Sequence, residues 1–425
     1  MKVGFIGLGK LGLPCALAAE SKGVEVRGFD PKESVREIVR TRTIPYREEG
    51  AQRLLNDSAI EVVPLADLVK WADILFVAVE TPHDPIYEGT ETIPVSRADF
   101  DYTALKRAMK DTAEAIAELG EVRIVAIIST VLPGTVDREL RPLLNPLVRL
   151  AYNPFFIAMG TTVQDYLYPE FMLLGADHQK TADAISHFYR SFIAAQVYVT
   201  GIREAELAKV AYNTAISFKI LHANALMELC HKIGCDLDGV VGALKLANRR
   251  ILGPRYMDGG VGDGGGCHIR DAVAMSWLAQ KEGLSVDVYD FALRAREKQT
   301  TWLAQMAQAE AFRLLLPIVI LGKAYKPESN LVNGSCALLL AHYAQMEAPG
   351  GQVAGNRMGA TGDVTNWDPH VDGTPFEPKR AVYVVATKHP EFRDLQYPEG
   401  SVVLDPFRYV PDRAGVRVVR IGGGR

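Results

Sequence analysis

The chain has 425 residues, of which 48% are hydrophobic and 23% are charged, a composition typical of a globular protein with two or three domains. Its formal net charge of -4 argues against a nucleic-acid-binding protein and against a polybasic membrane surface. The five cysteines form no C-x-x-C pair and the nine histidines show no ligand spacing, so we expect neither disulfides nor a metal site. No secretory signal or membrane-spanning run is predicted, which favours a cytoplasmic protein.

The first segment, KVGFIGLGKLGLPCALAAESKGVEVRGFD at residues 2–30, predicts a strand, a turn, a helix and a second strand. Gly7, Gly9 and Gly12 form a G-x-G-x-x-G motif. The first glycine permits the tight turn, the second lets a pyrophosphate approach the backbone, and the third packs the helix on the strand. The N-terminus of the helix then faces the phosphates. This context predicts a dinucleotide site.

Asp30 ends the second strand, where an acidic residue bonds the ribose hydroxyls and repels a 2'-phosphate. The predicted cofactor is therefore NAD rather than NADP, although Lys32 and Arg27 nearby soften that preference. The cofactor-binding residues predicted in this segment are Gly7, Gly9, Leu11, Gly12, Asp30 and Lys32.

Two further apolar segments predict buried strands of a parallel sheet. ADILFVAVETP at residues 72–82 reaches Thr81, and VRIVAIISTVLPGT at residues 122–135 reaches Thr130. Ligands of doubly wound folds bind at the carboxyl ends of strands, so both threonines are candidate cofactor contacts. They could equally cap the following helices, and the two roles are compatible.

Residues 203–233 contain no proline or glycine and carry apolar residues at helical spacing, which predicts a long helix between domains or at a dimer interface. Lys209 and Asn213 are four residues apart and therefore share one face. Their neighbours on the helix are apolar. The pair is either a functional polar site or an ordinary solvated stripe.

Six glycines precede Cys267 in the stretch GGVGDGGGCHIRD, residues 259–271, and a helical pattern follows it. The thiol is therefore predicted near a helix N-terminus, which stabilises a thiolate, with Asp271 one turn further on. The bland alternative is a surface loop with an incidental cysteine. A nicotinamide site, a positioned thiol and Lys, Asn and Asp partners together suit oxidation of an alcohol to an aldehyde, its capture on sulfur, a second oxidation and hydrolysis of the thioester.

With these motifs the chain resembles the UDP-glucose/GDP-mannose dehydrogenase family, whose members oxidise C6 of a nucleotide sugar to a carboxylate with two NAD. The segments ETP, STVLPGT, ELAKVAYN, VGDGGGCHIRD, LGKAYKP, WDPH, ATKHPEF and VVLDPFR match family motifs in order. The resemblance implies Cys267 as nucleophile, Asp271 as its partner, Lys209 and Asn213 as oxyanion donors, and Thr130 at the catalytic water. It implies further NAD contacts from Thr81, Thr130 and Arg270. The substrate contacts that it implies are Phe155, Lys209, Asn213, Arg250, Tyr256, Gly264, Lys326 and Asn333.

The chain departs from the family pattern where substrate and hydrolytic water are expected. NPFFIAMG stands for the family's NPEFLxEG, so Phe155 and Met159 replace two glutamates. The first of these glutamates helps to activate water against the thioester, whereas a phenylalanine cannot and is expected to dry the pocket. Further differences from the family pattern fall at Arg250, Asp263, Gly266, Arg270, Leu331 and Asn333.

The predicted architecture is α/β. It comprises an N-terminal doubly wound Rossmann NAD-binding domain (1–195), a central helical and dimerisation domain with the catalytic cysteine loop (196–305), and a C-terminal Rossmann-like α/β domain for the nucleotide sugar (306–425). Residues 348–367 are glycine-rich and predict a loop or a poorly regular strand. The resemblance implies a homodimer formed through the long helix.

The predicted function is NAD-dependent oxidation of C6 of a nucleotide sugar, preferably a UDP-sugar, to a uronate through Cys267. Three alternatives stay open. The chain could stop at the aldehyde after a two-electron oxidation, it could be a simpler hydroxyacid dehydrogenase, or it could be a non-catalytic homologue that binds nucleotide sugars. The retained thiol and NAD motifs favour the complete reaction, and the lost glutamates favour the aldehyde.

Overall fold

A computed structural model describes residues 1–82, 84–87, 98–249, 251–253, 259–261, 266–346 and 363–423. Eight helical residues, at positions 220, 224, 266, 267, 268, 270, 271 and 274, are described by their backbone alone. The chain divides into two compact units, Met1–Phe218 and Lys219–Arg425. Each unit is built on its own sheet. The predicted three-domain boundaries remain a prediction.

The first unit contains a sheet of eight described strands in the order β3-β2-β1-β4-β5-β6-β7-β8. Its neighbouring strands run parallel except for β6 and β7. The six strands from β3 to β6 have the order of a dinucleotide-binding fold, whose ligand crevice opens between β1 and β4. The strands are β1 (Lys2–Ile6), β2 (Glu25–Phe29), β3 (Glu61–Val62), β4 (Ile74–Val77), β5 (Arg123–Ile127), β6 (Val148–Tyr152), β7 (Phe171–Ala176) and β8 (Gln196–Thr200).

Helices cover both faces of this sheet, and the sequence of β4 shows why. All four residues of β4 are buried. Ile74 and Phe76 face one hydrophobic cluster, whereas Leu75 and Val77 face the other, because successive side chains of a strand alternate. The helices that begin in this unit are α1 (Gly12–Glu20), α2 (Glu33–Thr41), α3 (Ala51–Asp57), α4 (Leu65–Trp71), α5 (Thr103–Leu119), α6 (Thr162–Leu167), α7 (Gln179–Arg190) and α8 (Ile202–Ile233), with 3-10 turns at Pro85–Tyr87 and Arg141–Leu143 and a π-helical turn at Val136–Leu140.

The second unit contains a parallel sheet of five described strands in the order β10-β9-β11-β12-β13. This is the other common doubly wound order, in which the ligand crevice lies at the carboxyl ends of the first and third strands in sequence, here β9 and β11. The strands are β9 (Ile318–Leu321), β10 (Val364–Trp367), β11 (Val382–Val385), β12 (Val402–Asp405) and β13 (Arg417–Arg420). The helices are α9 (Leu237–Lys245), α10 (Gly266–Lys281), α11 (Val288–Leu314), α12 (Cys336–Gln345) and α13 (Pro390–Asp394).

The structure confirms the α/β prediction and the two main helical predictions. Helix α8 spans Ile202–Ile233, against a prediction of 203–233, and Cys267 is the second residue of α10. Of the glycine-rich segment 348–367, residues 348–362 lie outside the described ranges, while Val364–Trp367 forms β10 as a regular strand beside β9. Among the described residues no helix is long and apolar enough to cross a membrane.

Candidate active site

The G-x-G-x-x-G turn joins β1 to α1, and two of its glycines are required sterically. Gly7 has φ +92°, and a Cβ there would lie 2.6 Å from the Ala78 carbonyl oxygen at the end of β4. A Cβ on Gly12 would lie 2.0 Å from the Gly7 carbonyl oxygen. The Gly7 N–H donates to the Phe29 carbonyl at 2.8 Å, which ties the turn to β2. These contacts hold the first turn of α1 at the β1–β4 crevice.

Gly9 differs from its two partners, because a Cβ there would meet no atom within 4 Å. The empty space lies in front of α1, whose N-cap Leu11 makes no side-chain hydrogen bond to the helix. A helix N-terminus without a side-chain cap suits an anion, since its N–H groups and dipole favour negative charge. The turn therefore leaves room for a pyrophosphate at Gly9, and the contact itself stays a prediction.

Asp30 follows β2 and is only 6% exposed. Its carboxylate accepts the Leu8 N–H at 2.9 Å and the Lys32 N–H at 2.8 Å, which orients it beside the glycine turn. The Arg27 guanidinium is engaged elsewhere, 2.9 Å from Glu61 and over the Trp71 ring. An acidic residue in this position favours NAD, since a 2'-phosphate would meet a fixed negative charge.

Lys32 is the remaining cation that the sequence places near the ribose. Its ammonium is largely exposed and lies 4.0 Å from the Glu80 carboxylate, which offsets its charge. Arg27 and Lys32 are expected from the sequence to weaken the preference for NAD over NADP. In this structure each of them lies beside a glutamate carboxylate.

The ends of β4 and β5 are joined by two hydroxyl groups. Thr81 donates to the Thr130 carbonyl at 2.7 Å, and Ser129 donates to the Val79 carbonyl at 2.6 Å. The Thr81 hydroxyl therefore ties strand ends together, and the next α-helix among the described residues, α5, has Tyr102 as its N-cap. This pairing holds the loop after β5 at the carboxyl edge of the sheet.

Glu206, in the first third of α8, is a site residue to which the sequence analysis gave no role. It is 1% exposed, and its carboxylate accepts the N–H groups of Gly134 at 2.5 Å and Val136 at 2.8 Å. Burial raises the pKa of this carboxyl, and the two backbone hydrogen bonds oppose that rise. Glu206 thereby docks the loop after β5, which carries Thr130, onto α8. Its place in the motif ELAKVAYN was the available signal.

Lys209 lies one turn after Glu206 and is 7% exposed. Its ammonium donates to the Phe155 carbonyl at 2.8 Å and lies 5.1 Å from the centroid of the Phe156 ring. Burial lowers the pKa of this lysine, because desolvation penalises the charged form. Asn213 follows one turn later and is exposed. The face predicted for these two residues thus has a buried cation at one end and an open amide at the other.

The loop after β6 carries the two positions where the family has glutamates. The Phe155 ring is 6% exposed and packs against Tyr166 at 5.2 Å between centroids, so it belongs to the hydrophobic core. The expectation that this ring dries an open pocket is therefore wrong, and the ring beside Lys209 is that of Phe156. Met159 is 58% exposed. The Phe155 backbone carbonyl accepts the hydrogen bond of Lys209. A contact between Phe155 and the substrate remains a prediction.

Glu48 supports the same loop from a distant part of the sequence. It is 7% exposed and accepts the N–H groups of Gly160 at 2.9 Å and Thr162 at 2.6 Å. A carboxylate therefore still buttresses this loop, although neither Phe155 nor Met159 supplies one. The separation of 112 residues between Glu48 and Gly160 explains why no local pattern revealed the contact.

In the second unit, Cys267 and Asp271 both belong to α10, four positions apart near its N-terminus. Their backbone placement agrees with the sequence prediction. Arg270 is likewise described by its backbone alone. Three other predicted residues, Arg250, Tyr256 and Gly264, lie outside the described residues.

The predicted nucleotide contacts Lys326 and Asn333 lie in the segment between β9 and α12, and both are exposed. This segment leaves β9 at Gly322, which has φ +117° and a Cβ position 2.3 Å from the Thr387 hydroxyl. The buried Asp368 carboxylate then accepts the N–H groups of Lys323 at 2.6 Å and Ala324 at 2.9 Å. The fold thus brings the segment to the β9–β11 crevice.

Among the described residues, one cluster, His370, His389 and Glu391, has potential ligand atoms within 4.8 Å of one another. The buried His389 is already engaged by protein groups. Its Nδ1 accepts the Glu328 N–H at 3.1 Å, and its Nε2 lies 3.1 Å from the Asp368 carboxylate. These bonds describe a satisfied core histidine that orients Asp368.

Comparison with known families accounts for most of the chain. A model described as "UDP-glucose/GDP-mannose dehydrogenase family, NAD binding domain" matches residues 1–193, and the central-domain model of the same family matches residues 203–297. The two matches together cover more than half of the sequence. The chain belongs to the UDP-glucose/GDP-mannose dehydrogenase family. The predicted resemblance is confirmed, and with it an NAD-dependent nucleotide-sugar dehydrogenase.

Curated relatives extend the similarity along most of the chain. UDP-glucose 6-dehydrogenase AglM of Haloferax volcanii is 26% identical over 388 residues, covering 88% of this chain and 86% of that protein. UDP-N-acetyl-D-mannosamine dehydrogenase of Pyrococcus horikoshii is 26% identical over 421 residues, covering 93% of this chain and 91% of that protein. The relatives carry different sugars in their names, so family membership leaves the sugar open.

The fold also matches a solved member of the family. The crystal structure of a ternary complex of GDP-mannose dehydrogenase from Pseudomonas aeruginosa aligns with a TM-score of 0.82 at 21% identity, covering 98% of this chain and 99% of that chain. This likeness supports the architecture of two α/β regions with a helical segment between them in sequence. The stretch that matches the family's NAD-binding domain, residues 1–193, contains the glycine turn, Asp30 and the joined strand ends described above.

Proposed function

We propose that this dehydrogenase oxidises C6 of a nucleotide sugar, with a UDP-sugar as the first candidate, to a uronate. The glycine turn and Asp30 would hold the NAD. Bound NAD would accept a hydride in each of two oxidations. Several relatives are named for six-position oxidation, including the UDP-glucose 6-dehydrogenase of Haloferax volcanii and a GDP-mannose 6-dehydrogenase of Pseudomonas aeruginosa.

The observation that carries this proposal is the buried ammonium of Lys209. Its hydrogen-bond acceptor among the described residues is the neutral Phe155 carbonyl, so its positive charge is not cancelled locally. Such a cation stabilises an alkoxide or a thioester oxyanion, and the effect is large because the Lys209 ammonium itself is largely screened from water. Asn213, one turn on, is proposed as the second donor. Glu206 positions the Thr130 loop beside them.

Cys267 is proposed as the nucleophile. The substrate alcohol first loses a proton and a hydride to become an aldehyde. The Cys267 thiolate then adds to the aldehyde carbon, and the Lys209 ammonium balances the oxyanion. Loss of a second hydride gives a thioester, which water cleaves to the carboxylate and the free thiol. Asp271 is proposed to take part in proton transfer or to hold a water, and Thr130 to hold the hydrolytic water.

The nucleotide is proposed to bind at the carboxyl ends of β9 and β11. Strand order places the crevice of the second sheet there, and Lys326 and Asn333 lie exposed on the segment leaving β9. A lysine supplies charge to a diphosphate, and an asparagine amide can bond a base or a ribose. Both side chains remain predictions as ligand contacts, as do Arg250, Tyr256, Gly264 and Arg270.

A two-electron reaction that stops at the aldehyde is the second candidate. It is favoured by the absence of a carboxylate at Phe155 and Met159, where the family has glutamates. Glu48 bonds backbone N–H groups of the same loop with both carboxylate oxygens, so it acts there as a support. A non-catalytic homologue is less consistent with the intact glycine turn and the buried, unneutralised Lys209.

A homodimer formed through α8 is also proposed. This helix exposes large apolar side chains on one face, among them Phe218 at 62% and Leu221 at 42%, three positions apart. Apolar exposure of this size on one helix is typical of a surface that a second copy covers. A cytoplasmic location fits a nucleotide-sugar substrate. Light scattering of the purified protein tests the dimer, which a monomeric mass would exclude.

The experiment that tests the proposed chemistry compares Cys267→Ala with Cys235→Ala, a change at a different thiol. Both proteins are incubated with NAD and a panel of UDP-, GDP- and dTDP-sugars, and products are identified by mass spectrometry. We expect no acid from Cys267→Ala and unchanged acid from Cys235→Ala. Undiminished acid from Cys267→Ala would contradict a thioester route.

A further inference from the structure

The C-terminal end of α8 brings two cysteines together. Cys230 lies in the last turn of the helix, and Gly234 ends it with φ +73°. The Cys235 N–H then donates to the Cys230 carbonyl at 3.0 Å. This is the Schellman arrangement, in which the N–H of the sixth residue bonds back to the first and the two side chains commonly touch. Both of those side chains here are thiols.

The two cysteines differ in their access to solvent. Cys230 is 4% exposed, whereas Cys235 is exposed, and both are free cysteines. The neighbouring Cys235 side chain is the first cause that raises the pKa of Cys230, ahead of burial. Cys230 therefore keeps its proton at neutral pH, and an oxidant in solution meets the sulfur of Cys235 first.

We propose that Cys230 and Cys235 form a redox-active pair that a hydroperoxide converts into a disulfide. The Cys235 sulfur, as thiolate, attacks one oxygen of hydrogen peroxide; the O–O bond breaks, hydroxide leaves, and Cys235 becomes a sulfenic acid. The Cys230 sulfur then attacks the Cys235 sulfur and displaces its oxygen as water. In total the two thiols lose two electrons and two protons, and the peroxide becomes two water molecules. A small dithiol reverses the reaction.

The local backbone suits this bridge because the hydrogen bond across the turn already holds the two residues side by side, as a disulfide requires. The chain continues into α9, where Asp236 accepts the Gly239 N–H at 2.7 Å. A bridge would therefore fix the turn between two helices without breaking either cap. This modification is independent of the proposed reaction, which uses neither sulfur.

The test is peptide mapping of the full-length protein after treatment with hydrogen peroxide and alkylation. Trypsin cleaves after Lys232, so Cys230 falls on the peptide 220–232 and Cys235 on the peptide 233–245. We expect these peptides to appear cross-linked, two hydrogens lighter than their sum, and to separate after dithiothreitol. The cross-link should persist in Cys267→Ala and in Cys336→Ser, and disappear in Cys235→Ser with Cys230 still alkylated.

Three outcomes would overturn the proposal. The first is a sulfinic acid on Cys235 while Cys230 remains fully alkylated, and the second is a bridge from either residue to Cys267, Cys15 or Cys336. The third is no change in either peptide at peroxide concentrations that oxidise Cys267. Each is read from mass alone, so loss of dehydrogenase activity does not affect the result.

Discussion

The Lys209 ammonium donates a hydrogen bond to the Phe155 carbonyl at 2.8 Å, 54 residues away in the sequence. This contact joins α8 to the loop after β6, where the chain departs from its family. The loop has lost two glutamates, yet the lysine keeps a fixed position because a backbone carbonyl, present in any residue, is its acceptor. The positive charge can thus survive the substitutions at Phe155 and Met159.

Removing the Lys209 charge should lower kcat far more than it alters folding. In Lys209→Met we expect kcat to fall by about 10²–10³-fold, the usual loss when one oxyanion donor is removed. The exposed Lys219 on the same helix is the matched control, and Lys219→Met should keep its kcat. Steady-state NADH formation measures both variants. Equal rates in wild type and Lys209→Met would contradict an oxyanion role.

The lowered pKa of Lys209 should also determine how kcat/KM falls at high pH. Burial lowers the pKa of Lys209 from 10.5, so its ammonium loses its proton at a lower pH than an exposed lysine does. The value of kcat/KM should therefore fall as pH rises through that lowered pKa. Lys209→Arg keeps its charge, so its activity, even if reduced, should lack this limb. A basic limb unchanged in Lys209→Arg would assign it to another group.

Gly9 and Gly12 provide a matched pair for the NAD site. Alanine at Gly9 meets no protein atom within 4 Å, so Gly9→Ala should unfold at the wild-type temperature without NAD. It should bind NAD about tenfold more weakly or worse, a loss of about 1.4 kcal/mol, because its methyl group occupies the space proposed for the pyrophosphate. Calorimetry measures both quantities. Wild-type NAD affinity in Gly9→Ala would exclude this placement.

Gly12→Ala should lower the stability of the fold itself, since its Cβ would lie 2.0 Å from the Gly7 carbonyl oxygen. The backbone has to shift, and we expect destabilisation of about 3 kcal/mol or more, the upper range for overpacked sites. Thermal unfolding without NAD checks this. An unfolding temperature equal to that of Gly9→Ala would show that the turn relaxes easily.

Glu206 is predicted to be a positioning residue whose loss costs stability. Its carboxylate accepts two backbone N–H groups while 1% exposed, and Glu206→Ala leaves both donors without that acceptor. We expect the free energy of unfolding to fall by about 2 kcal/mol. The exposed Glu204→Ala, two residues earlier, should lose only about 0.5 kcal/mol of helix-dipole interaction. Urea titration distinguishes them, and equal losses would deny the docking role.

The carboxyl of Glu206 should also make the free energy of unfolding depend on pH in a definite direction. Burial raises its folded pKa above 4.5, so its contribution to stability is greatest below the unfolded value and declines as pH rises through the folded value. The stability difference between wild type and Glu206→Gln, which does not titrate, should therefore move in favour of the variant as pH rises above 4.5. A difference independent of pH would contradict the raised pKa.

The sequence predicts the fold well because its strongest signals are local. The glycine spacing, the acidic residue after β2 and the uninterrupted helical pattern of α8 each arise within about 30 residues, and the structure contains all three elements. Cys267 also lies where the glycine run and the following helix predict it. Local steric and capping rules are sufficient for these features.

Contacts between residues far apart in the sequence could not be predicted from local sequence patterns. Phe155 and Phe156 are adjacent and chemically alike, yet one ring enters the core and the other lies under Lys209, because successive residues of an extended loop point in opposite directions. Glu48 supports a loop more than a hundred residues away. Only the packed fold reveals which residue of such a pair meets the site.

The most direct test of the account is the number of NADH molecules released per sugar consumed, measured with the wild-type enzyme across UDP-, GDP- and dTDP-sugars. We predict two NADH per sugar and a carboxylate product for at least one UDP-sugar, which would mean that hydrolysis proceeds without the two family glutamates. One NADH per sugar, with an aldehyde or a stalled adduct on Cys267, would contradict the complete oxidation and show that the reaction ends halfway.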